Sequence, residues 1–268
     1  MKKDKNEKEE VIISMTTFPA AAPFAAEAIE SLLRGSRLPD KIVLYVTLKQ
    51  FGEKGLPSML LKLAEENEIF EIRDYPDDIR SYRKLIPALK DFPDALIVTV
   101  DDDVIYDSEM LRLLLKYHER FPEHILTHRA KKIIPGKPYK KWKKYRWFHF
   151  LVKRFHKDKF TLQTGVGGVL YPSGSLKKEM LNPKLFTELA PTTDDIWFWA
   201  TAIANDRLVI PVPFGQNKPK GLGKPKEISL KTVNFKTGVD NNSRAFENIM
   251  EAFPEVKEKI FDNFAKNR

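Results

Sequence analysis

The feature that most constrains the fold is an alternation of short apolar runs with amphipathic segments between residues 11 and 107. Apolar, β-rich runs predict strands at 11–15, 42–47, 69–73 and 95–100. Helical periodicity predicts helices at 25–33, 56–67 and 81–92, and Gly35 and Pro39 follow the first of these. Because strands separated by helices usually pair in parallel, this half predicts an α/β fold with a mostly parallel sheet flanked by helices.

The predicted strands also indicate where a ligand would bind. Open α/β sheets bind ligands outside the carboxyl ends of their strands. Thr16, Thr47 and Asp101 fall at such ends. After residue 106 the alternation loosens into a helix at 108–120, a basic aromatic stretch at 129–160, a glycine-rich turn at 165–168, a helix near 195–204, a strand at 208–212 and a loop rich in Lys, Pro and Gly at 215–223.

Composition narrows the class of protein. The chain has 268 residues, enough for a full hydrophobic core, and no cysteine, which excludes disulfides and cysteine nucleophiles. We find no secretory signal and no apolar run near the roughly 20 residues that span a bilayer, so we expect a cytoplasmic protein. The net charge of +9 predicts attraction to nucleic acid, phospholipid surfaces or phosphate-bearing substrates.

Asp101, Asp102 and Asp103 directly follow the apolar run at 95–100. Three adjacent carboxylates repel one another unless a cation is near, and Mg²⁺ sites typically use one or two carboxylates with substrate phosphates. A metal-diphosphate site satisfies both conditions. The alternative is a solvated acidic turn in which Asp107 or Ser108 caps the next helix.

A second acidic motif is Asp194-Asp195, which follows Thr193 and precedes an apolar helix. As a structural feature it would be a helix cap with acids in the first turn. As a functional feature, one carboxylate would face a pocket and accept a proton from an acceptor hydroxyl. Both interpretations can hold together.

Two further motifs are weaker alone. The glycines of Thr164-Gly165-Val166-Gly167-Gly168 allow a sharp turn or close approach of a ligand. The segment 80–85 begins a predicted helix with cations, against the dipole preference, which a nearby diphosphate would explain. A surface helix capped by Ser81 is the alternative.

In chain order, six motifs carry a resemblance. They are Thr16-Thr17-Phe18-Pro19; Ser31-Leu32-Leu33 with Leu38-Pro39-Asp40-Lys41; Ser81-Tyr82-Arg83-Lys84-Leu85-Ile86-Pro87-Ala88-Leu89; Asp101-Asp102-Asp103; Gly165-Val166-Gly167-Gly168-Val169-Leu170-Tyr171-Pro172; and Asp194-Asp195-Ile196-Trp197. Together they resemble those of bacterial GT-A-type glycosyltransferases associated with capsule, O-antigen and other surface polysaccharides. The resemblance extends from Val11 to about Pro213.

This resemblance implies a Rossmann-like GT-A domain over residues 11–268, after a disordered tail at 1–10. Residues 11–107 would bind the nucleotide-sugar, 108–213 would form an acceptor-side lobe, and 214–268 would form a C-terminal loop and helix. The implied reaction is metal-dependent transfer from a nucleotide-diphosphate sugar, with UDP-sugar the family-level expectation, to a glycan or polyprenyl-diphosphate-linked acceptor.

The resemblance also implies residue roles. Asp101 and Asp103 would hold Mn²⁺ or Mg²⁺, and Asp195, ahead of Asp194, would be the general base of an inverting transfer, with retention as the alternative. The remaining donor-binding residues would be Thr16, Thr17, Phe18, Pro19, Arg80, Ser81, Lys84, Asp101, Asp102, Gly167 and Gly168.

Two departures from the family pattern stand out. Such enzymes often carry an Arg after the Phe-Pro pair, where this chain has Ala20, Ala21 and Ala22. The C-terminal segment has no His to complete a metal site, so Asp240, Asn241 or water would have to substitute.

The basic aromatic stretch at 129–160 interleaves many cations with Trp and Phe, which suits a membrane interface near an anionic surface. We therefore predict that Trp142, Trp147 and Trp197 face the acceptor or a membrane, and that the protein binds peripherally to the inner face. Single-stranded nucleic acid is the competing partner. We expect none, because the two acidic motifs would repel phosphate. An inactive GT-A scaffold is a third alternative, opposed by the intact acidic motifs.

Overall fold

The computed structural model describes residues 9–145, 159–223, 225, 234 and 240–265. Its strands are β1 Val11–Thr16, β2 Lys41–Val46, β3 Phe70–Asp74, β4 Leu96–Thr99, β5 Val104–Ile105, β6 Ile125–Thr127, β7 Ala130–Lys132, β8 Lys143–Lys144, β9 Thr161–Gln163, β10 Val169–Tyr171, β11 Val209–Pro211 and β12 Lys220–Gly221. Its α-helices are α1 Ala22–Leu33, α2 Ser58–Glu66, α3 Ile86–Asp91, α4 Met110–His118, α5 Pro183–Leu189, α6 Asp194–Ala204, α7 Asn241–Ala252 and α8 Pro254–Ala265. Shorter 3₁₀ turns include Arg80–Lys84 and Gly165–Gly167.

The central sheet has seven strands in the order β11-β6-β10-β4-β1-β2-β3. β10 is antiparallel to both of its neighbours, and the other pairings in the sheet are parallel. Helices cover both faces, so the strands are buried on both sides and read as continuous apolar runs. The predicted α/β class, with a mostly parallel sheet flanked by helices, is confirmed.

Two hydrophobic clusters occupy the two faces of this sheet. Alternate residues of β1 contribute to each, Ile12 to one and Ile13 to the other. The first cluster contains the buried aromatic face of α6, against which α7 and α8 pack. The second contains α1, α2 and α4. None of the helices in the described ranges is both long and apolar enough to span a bilayer.

Two small sheets flank the central one. β12 pairs antiparallel with β5, so part of the predicted loop at 215–223 is a strand. β7 pairs with both β8 and β9, and this sheet was not predicted because its strands have only two or three residues each. The predicted helix at 81–92 is two elements, because Pro87 lies in the first turn of α3 and favours a helix start there.

Residues 1–8 of the predicted tail and residues 146–158 of the basic aromatic stretch lie outside the described residues. Glu9 and Glu10, the last two tail residues, are described. The Glu10 carbonyl accepts a hydrogen bond of 2.8 Å from the Leu96 backbone N–H, which extends the β1 and β4 pairing by one residue.

Candidate active site

The Asp101-Asp102-Asp103 motif follows β4, and its three carboxylates have different surroundings. Asp102 is buried and its Oδ2 accepts a 2.6 Å hydrogen bond from the Thr17 hydroxyl. Asp101 and Asp103 are half-buried. The backbone N–H of Asp101 donates to the Tyr106 hydroxyl at 2.7 Å, which holds the turn after the strand. Asp102 therefore joins the loop after β1 to the loop after β4, and the carboxylates on either side of it remain at the sheet edge.

The motif can be tested for a divalent metal by its donor chemistry. Among the described residues there is no cluster of three or more His, Cys, Asp or Glu side chains that could hold a metal. Asp101 and Asp103 offer hard oxygen donors, which Mg²⁺ and Mn²⁺ prefer, and sites for Mg²⁺ that are completed by diphosphate oxygens need only one or two carboxylates. The pair fits a metal that binds together with a diphosphate.

The second acidic motif begins α6. Asp194 is buried, and its Oδ1 accepts a 2.8 Å hydrogen bond from the Ser81 hydroxyl. Tyr82 anchors the same 3₁₀ turn by donating its hydroxyl to the Ala190 carbonyl at 2.6 Å. Asp194 and Asp195 lie in the first turn of α6, where the helix dipole stabilises negative charge.

Lys84 connects the two acidic motifs. Its Nζ lies 3.0 Å from Asp101 Oδ1 and 3.1 Å from Asp194 Oδ2. The contact with Asp194 Oδ2 is an ion pair without hydrogen-bond geometry. Burial opposes the charge on Lys84, but Asp101, Asp194 and Asp195 outweigh it and raise the pKa of Lys84 well above its usual range. The ammonium is therefore charged at neutral pH and joins carboxylates of the two acidic motifs.

Asp195 is held much more loosely than Asp194. Its half-buried side chain accepts one hydrogen bond of 3.3 Å, from the Gly165 backbone N–H to Oδ2. Burial first, and then repulsion from Asp194 and Asp101, raises the pKa of Asp195 to about 7, although Lys84 and the Gly165 N–H act in the opposite direction. A carboxylate with these properties can accept a proton near neutral pH.

Gly165 lies where the site has least space. A side-chain carbon built on it would be 2.9 Å from both Asp101 Oδ1 and Lys84 Nζ. The predicted donor-binding glycines are next to it, but a carbon on Gly167 would meet Arg129 and a carbon on Gly168 would meet Met110. Gly165 belongs to the glycine-rich motif but was not among the predicted donor-binding residues. Its position at the site is evident only from its contacts with Asp101 and Lys84 in the folded chain.

The other predicted donor-binding residues lie around this edge in different ways. The Thr16 hydroxyl donates to the Tyr45 carbonyl at 2.8 Å, Phe18 is half-buried, and Pro19 is exposed. Arg80 is exposed and has a φ of 53°, a left-handed conformation that is uncommon for a non-glycine residue. Of these residues, Arg80 is the one whose exposed charge could reach a ligand.

Two of the three tryptophans predicted to face an acceptor or membrane do not. Trp197 is fully buried and donates its indole N–H to the Met180 carbonyl at 3.0 Å. Trp142 is buried and donates to the Lys137 carbonyl at 2.9 Å. The prediction is wrong for both because their large apolar rings complete the core. Trp147 lies outside the described residues.

The fold is similar to that of a solved mannosyltransferase. The mannosyltransferase PcManGT from Pyrobaculum calidifontis, in complex with GDP-Man and Mn²⁺, aligns with a TM-score of 0.51 and 15% identity over 78% of this chain and 56% of that chain. TarS of S. aureus (residues 1–349), in complex with UDP, aligns with a TM-score of 0.49 and 13% identity over 78% of this chain and 59% of that one.

The chain thus spans little more than half of each of these two proteins. No protein-family model matches the sequence, and no curated protein matches it. The likeness to the mannosyltransferase shows the fold: this chain has the predicted GT-A architecture, a mostly parallel sheet with helices on both faces.

Proposed function

We propose that this protein is a glycosyltransferase that moves a sugar from a nucleotide-diphosphate sugar to an acceptor hydroxyl. The observation that carries the proposal is the meeting of two acidic motifs, Asp101 and Asp103 after β4 and Asp194 and Asp195 at the start of α6, around the buried Lys84. The GT-A architecture supports it, as does the GDP-Man and Mn²⁺ complex of the mannosyltransferase that has this fold.

The surroundings of Asp194 and Asp195 support different roles for them. Asp194 is paired with Lys84 and accepts a hydrogen bond from Ser81, so its side chain is fixed in place at the start of α6. Asp195 accepts a single backbone hydrogen bond and its pKa is raised to about 7, so it is the better proton acceptor. We assign Asp195 as the general base.

The proposed step is a direct displacement. Asp195 takes the proton of the acceptor hydroxyl as the acceptor oxygen forms a bond to the anomeric carbon of the sugar. The bond from that carbon to the diphosphate oxygen breaks, and its electron pair leaves with the nucleotide diphosphate. Attack opposite the leaving group inverts the anomeric configuration. A product with retained configuration, read by NMR of the anomeric proton, would overturn this part of the proposal.

Asp101 and Asp103 are the residues that would hold a divalent cation, Mn²⁺ or Mg²⁺. Such a cation neutralises charge on a diphosphate leaving group when bound. Asp102, already hydrogen-bonded to Thr17, would keep the loop after β4 in place. Lys84 would fix the orientation of the Asp101 carboxylate.

The remaining parts of the proposal concern donor, acceptor and location. We propose a UDP-sugar as donor, and a glycan or polyprenyl-diphosphate-linked acceptor of bacterial surface polysaccharide synthesis. The net charge of +9 supports an anionic acceptor and attraction to an anionic membrane surface. We propose that the protein is cytoplasmic and binds peripherally to the inner membrane face. We do not propose nucleic acid as a partner, because the clustered carboxylates of the site would repel its phosphates.

The first experiment is isothermal titration with a panel of nucleotide diphosphates and nucleotide-sugars, in Mn²⁺ and in EDTA. We expect one nucleotide-sugar to bind only with metal, and Asp103→Ala to abolish that binding. Asp94→Ala is the matched control, since Asp94 is an exposed aspartate just before β4. Failure of every nucleotide to bind, with tight binding of single-stranded nucleic acid, would refute the proposal.

A further inference from the structure

Three cations share one face of the β7–β8 hairpin. Lys131 lies directly opposite Lys144 in the antiparallel register, and Arg129 precedes Lys131 by two residues, which places it on the same face. Like charges directly opposite each other destabilise a strand pair. Within the described ranges no carboxylate forms an ion pair with any of the three. We call Arg129, Lys131 and Lys144 the hairpin cation cluster.

The charges in this cluster act on one another. Burial first, and then Lys144 and Arg129, lowers the pKa of Lys131 to about 8, while Asp240 and Asp195 act in the opposite direction. The Lys131 ammonium lies 3.4 Å from the centroid of the Tyr139 ring, which stabilises a cation but supplies no negative charge. The cluster therefore keeps an excess of positive charge that an anion would neutralise.

The hairpin cation cluster lies beside the proposed base. β9 pairs with β7, with Gln163 opposite Ala130, and the Gln163 side chain donates to the Asp195 carbonyl at 3.0 Å. The residues on either side of Ala130 are the cluster members Arg129 and Lys131.

The Thr164 backbone N–H donates to the Arg129 carbonyl at 2.9 Å. The next residue, Gly165, donates its backbone N–H to the Asp195 carboxylate, so Arg129 lies near the proposed base. An acceptor whose hydroxyl reaches Asp195 can therefore place a phosphate group near the cluster.

The aromatic residues of this region do not favour membrane insertion. Trp142, immediately before β8, is buried against Phe246 and Tyr139. Insertion into a membrane interface needs exposed aromatic rings beside the cations. In the described part of the stretch, Lys143 and Lys144 are exposed while Trp142 is buried.

We propose that the hairpin cation cluster binds a phosphate group of the acceptor, so that the acceptor is a phosphate-bearing sugar or a lipid-linked diphosphate. This inference rests on the proposed function, because it takes Asp195 as the group that meets the acceptor hydroxyl. Lys144 is the most exposed member and makes the outer contact, and Lys131 and Arg129 extend the cation surface toward Asp195.

The test uses inorganic pyrophosphate as the probe, titrated in EDTA to exclude binding through a metal. We expect Lys144→Gln to weaken pyrophosphate binding about tenfold, the loss typical of one charge-assisted hydrogen bond. The same substitution removes a like-charge pair, so the unfolding temperature should stay unchanged or rise. A residue with only a structural role would lose stability and leave binding unchanged.

Two variants serve as controls. Lys144→Arg keeps the charge and should bind pyrophosphate like the wild type. Lys49→Gln removes the same charge from an exposed lysine that is distant from Lys144 in the sequence, and it should leave pyrophosphate affinity unchanged. Equal pyrophosphate affinity of Lys144→Gln and the wild type would overturn the proposal.

Two further measurements are needed. Vesicle binding distinguishes a membrane phosphate from an acceptor phosphate, and nucleotide-sugar binding distinguishes failure of this proposal from failure of the proposed function. Phosphatidylcholine vesicles with and without phosphatidylglycerol test a membrane surface, and Lys144→Gln should bind them like the wild type. If it loses vesicle binding and keeps pyrophosphate binding, the proposal is overturned in favour of a membrane contact. If no nucleotide-sugar binds with Mn²⁺ but Lys144→Gln loses pyrophosphate, the phosphate site stands and its role in acceptor binding is overturned.

Discussion

Replacement of Asp195 by Asn should lower turnover by about 10²- to 10⁴-fold, the usual contribution of a general base. The amide has nearly the shape of the carboxylate, and its oxygen can still accept the Gly165 N–H that lies 3.3 Å from Asp195 Oδ2. The loss should therefore appear in kcat, with little change in the affinity for the donor. Initial rates with a labelled nucleotide-sugar, and titration with the donor, measure the two quantities.

The pH dependence of kcat/KM is a second test of the Asp195→Asn substitution. Because the pKa of Asp195 is raised to about 7, the base form increases as pH rises through that value, and kcat/KM of the wild type should rise with it. The residual activity of Asp195→Asn should lack this rise.

The free energy of unfolding of the wild type should fall with rising pH, whereas its kcat/KM rises. A carboxyl whose pKa is raised in the folded state contributes stability that is fully present below pH 4 and is lost as pH rises through about 7. Asp195→Asn lacks that loss, so its stability relative to the wild type should increase between about pH 4 and pH 7 and stay constant above that. The gain cannot exceed about 1.4 kcal/mol per pH unit, the value for one proton. Urea unfolding at several pH values measures it.

Asp194→Asn is the matched comparison. It removes the ion pair between Asp194 and Lys84, both of which are less than one-tenth exposed, and should cost about 3 kcal/mol. Normal turnover by Asp195→Asn, or lower stability than the wild type at pH 8, would refute the assignment of the base.

The remaining predictions concern the groups around the two acidic motifs. Gly165→Ala places a carbon 2.9 Å from the Asp101 carboxylate, so it should cost about 1–3 kcal/mol in urea unfolding and reduce turnover. Lys84→Met leaves buried carboxylates without their cation and should lower the free energy of unfolding by about 3–5 kcal/mol. Thr17→Val removes the 2.6 Å hydrogen bond to Asp102, and should cost about 1–3 kcal/mol and weaken metal-dependent nucleotide binding.

Two of these predictions have a control variant in the chain. Gly221→Ala changes a glycine without a left-handed φ, where the nearest heavy atom to the added carbon is the Asp103 carbonyl oxygen at 4.0 Å, so it separates crowding at Gly165 from the general effect of a glycine substitution. Lys49→Met changes an exposed lysine and should leave stability unchanged. Wild-type stability of Lys84→Met would contradict the buried ion pairs, and wild-type nucleotide affinity of Thr17→Val would contradict the role given to Asp102.

The alternation of elements could be predicted from the sequence because it depends on local patterns. The run before Asp101 and the run at 11–15 are buried on both faces, so nearly every residue is apolar and the strands are recognisable. The same local reasoning placed the first acidic motif at a strand end and the second at the start of a helix. It missed β6, β7, β9 and β10, which have only three residues each.

The sequence alone thus determined the α/β class, the position of the sheet edge where Asp101 lies, and the two acidic motifs. Tertiary structure decided the surroundings of each carboxylate: Asp102 accepts a hydrogen bond from Thr17 across 85 residues of chain, and Asp194 accepts one from Ser81 across 113. Lys84 was predicted as a nucleotide contact, but the fold buries it between carboxylates, and Trp197 became part of the core. Hydrophobic periodicity reports local burial, whereas the charge and accessibility of a side chain depend on partners that folding brings from distant parts of the chain.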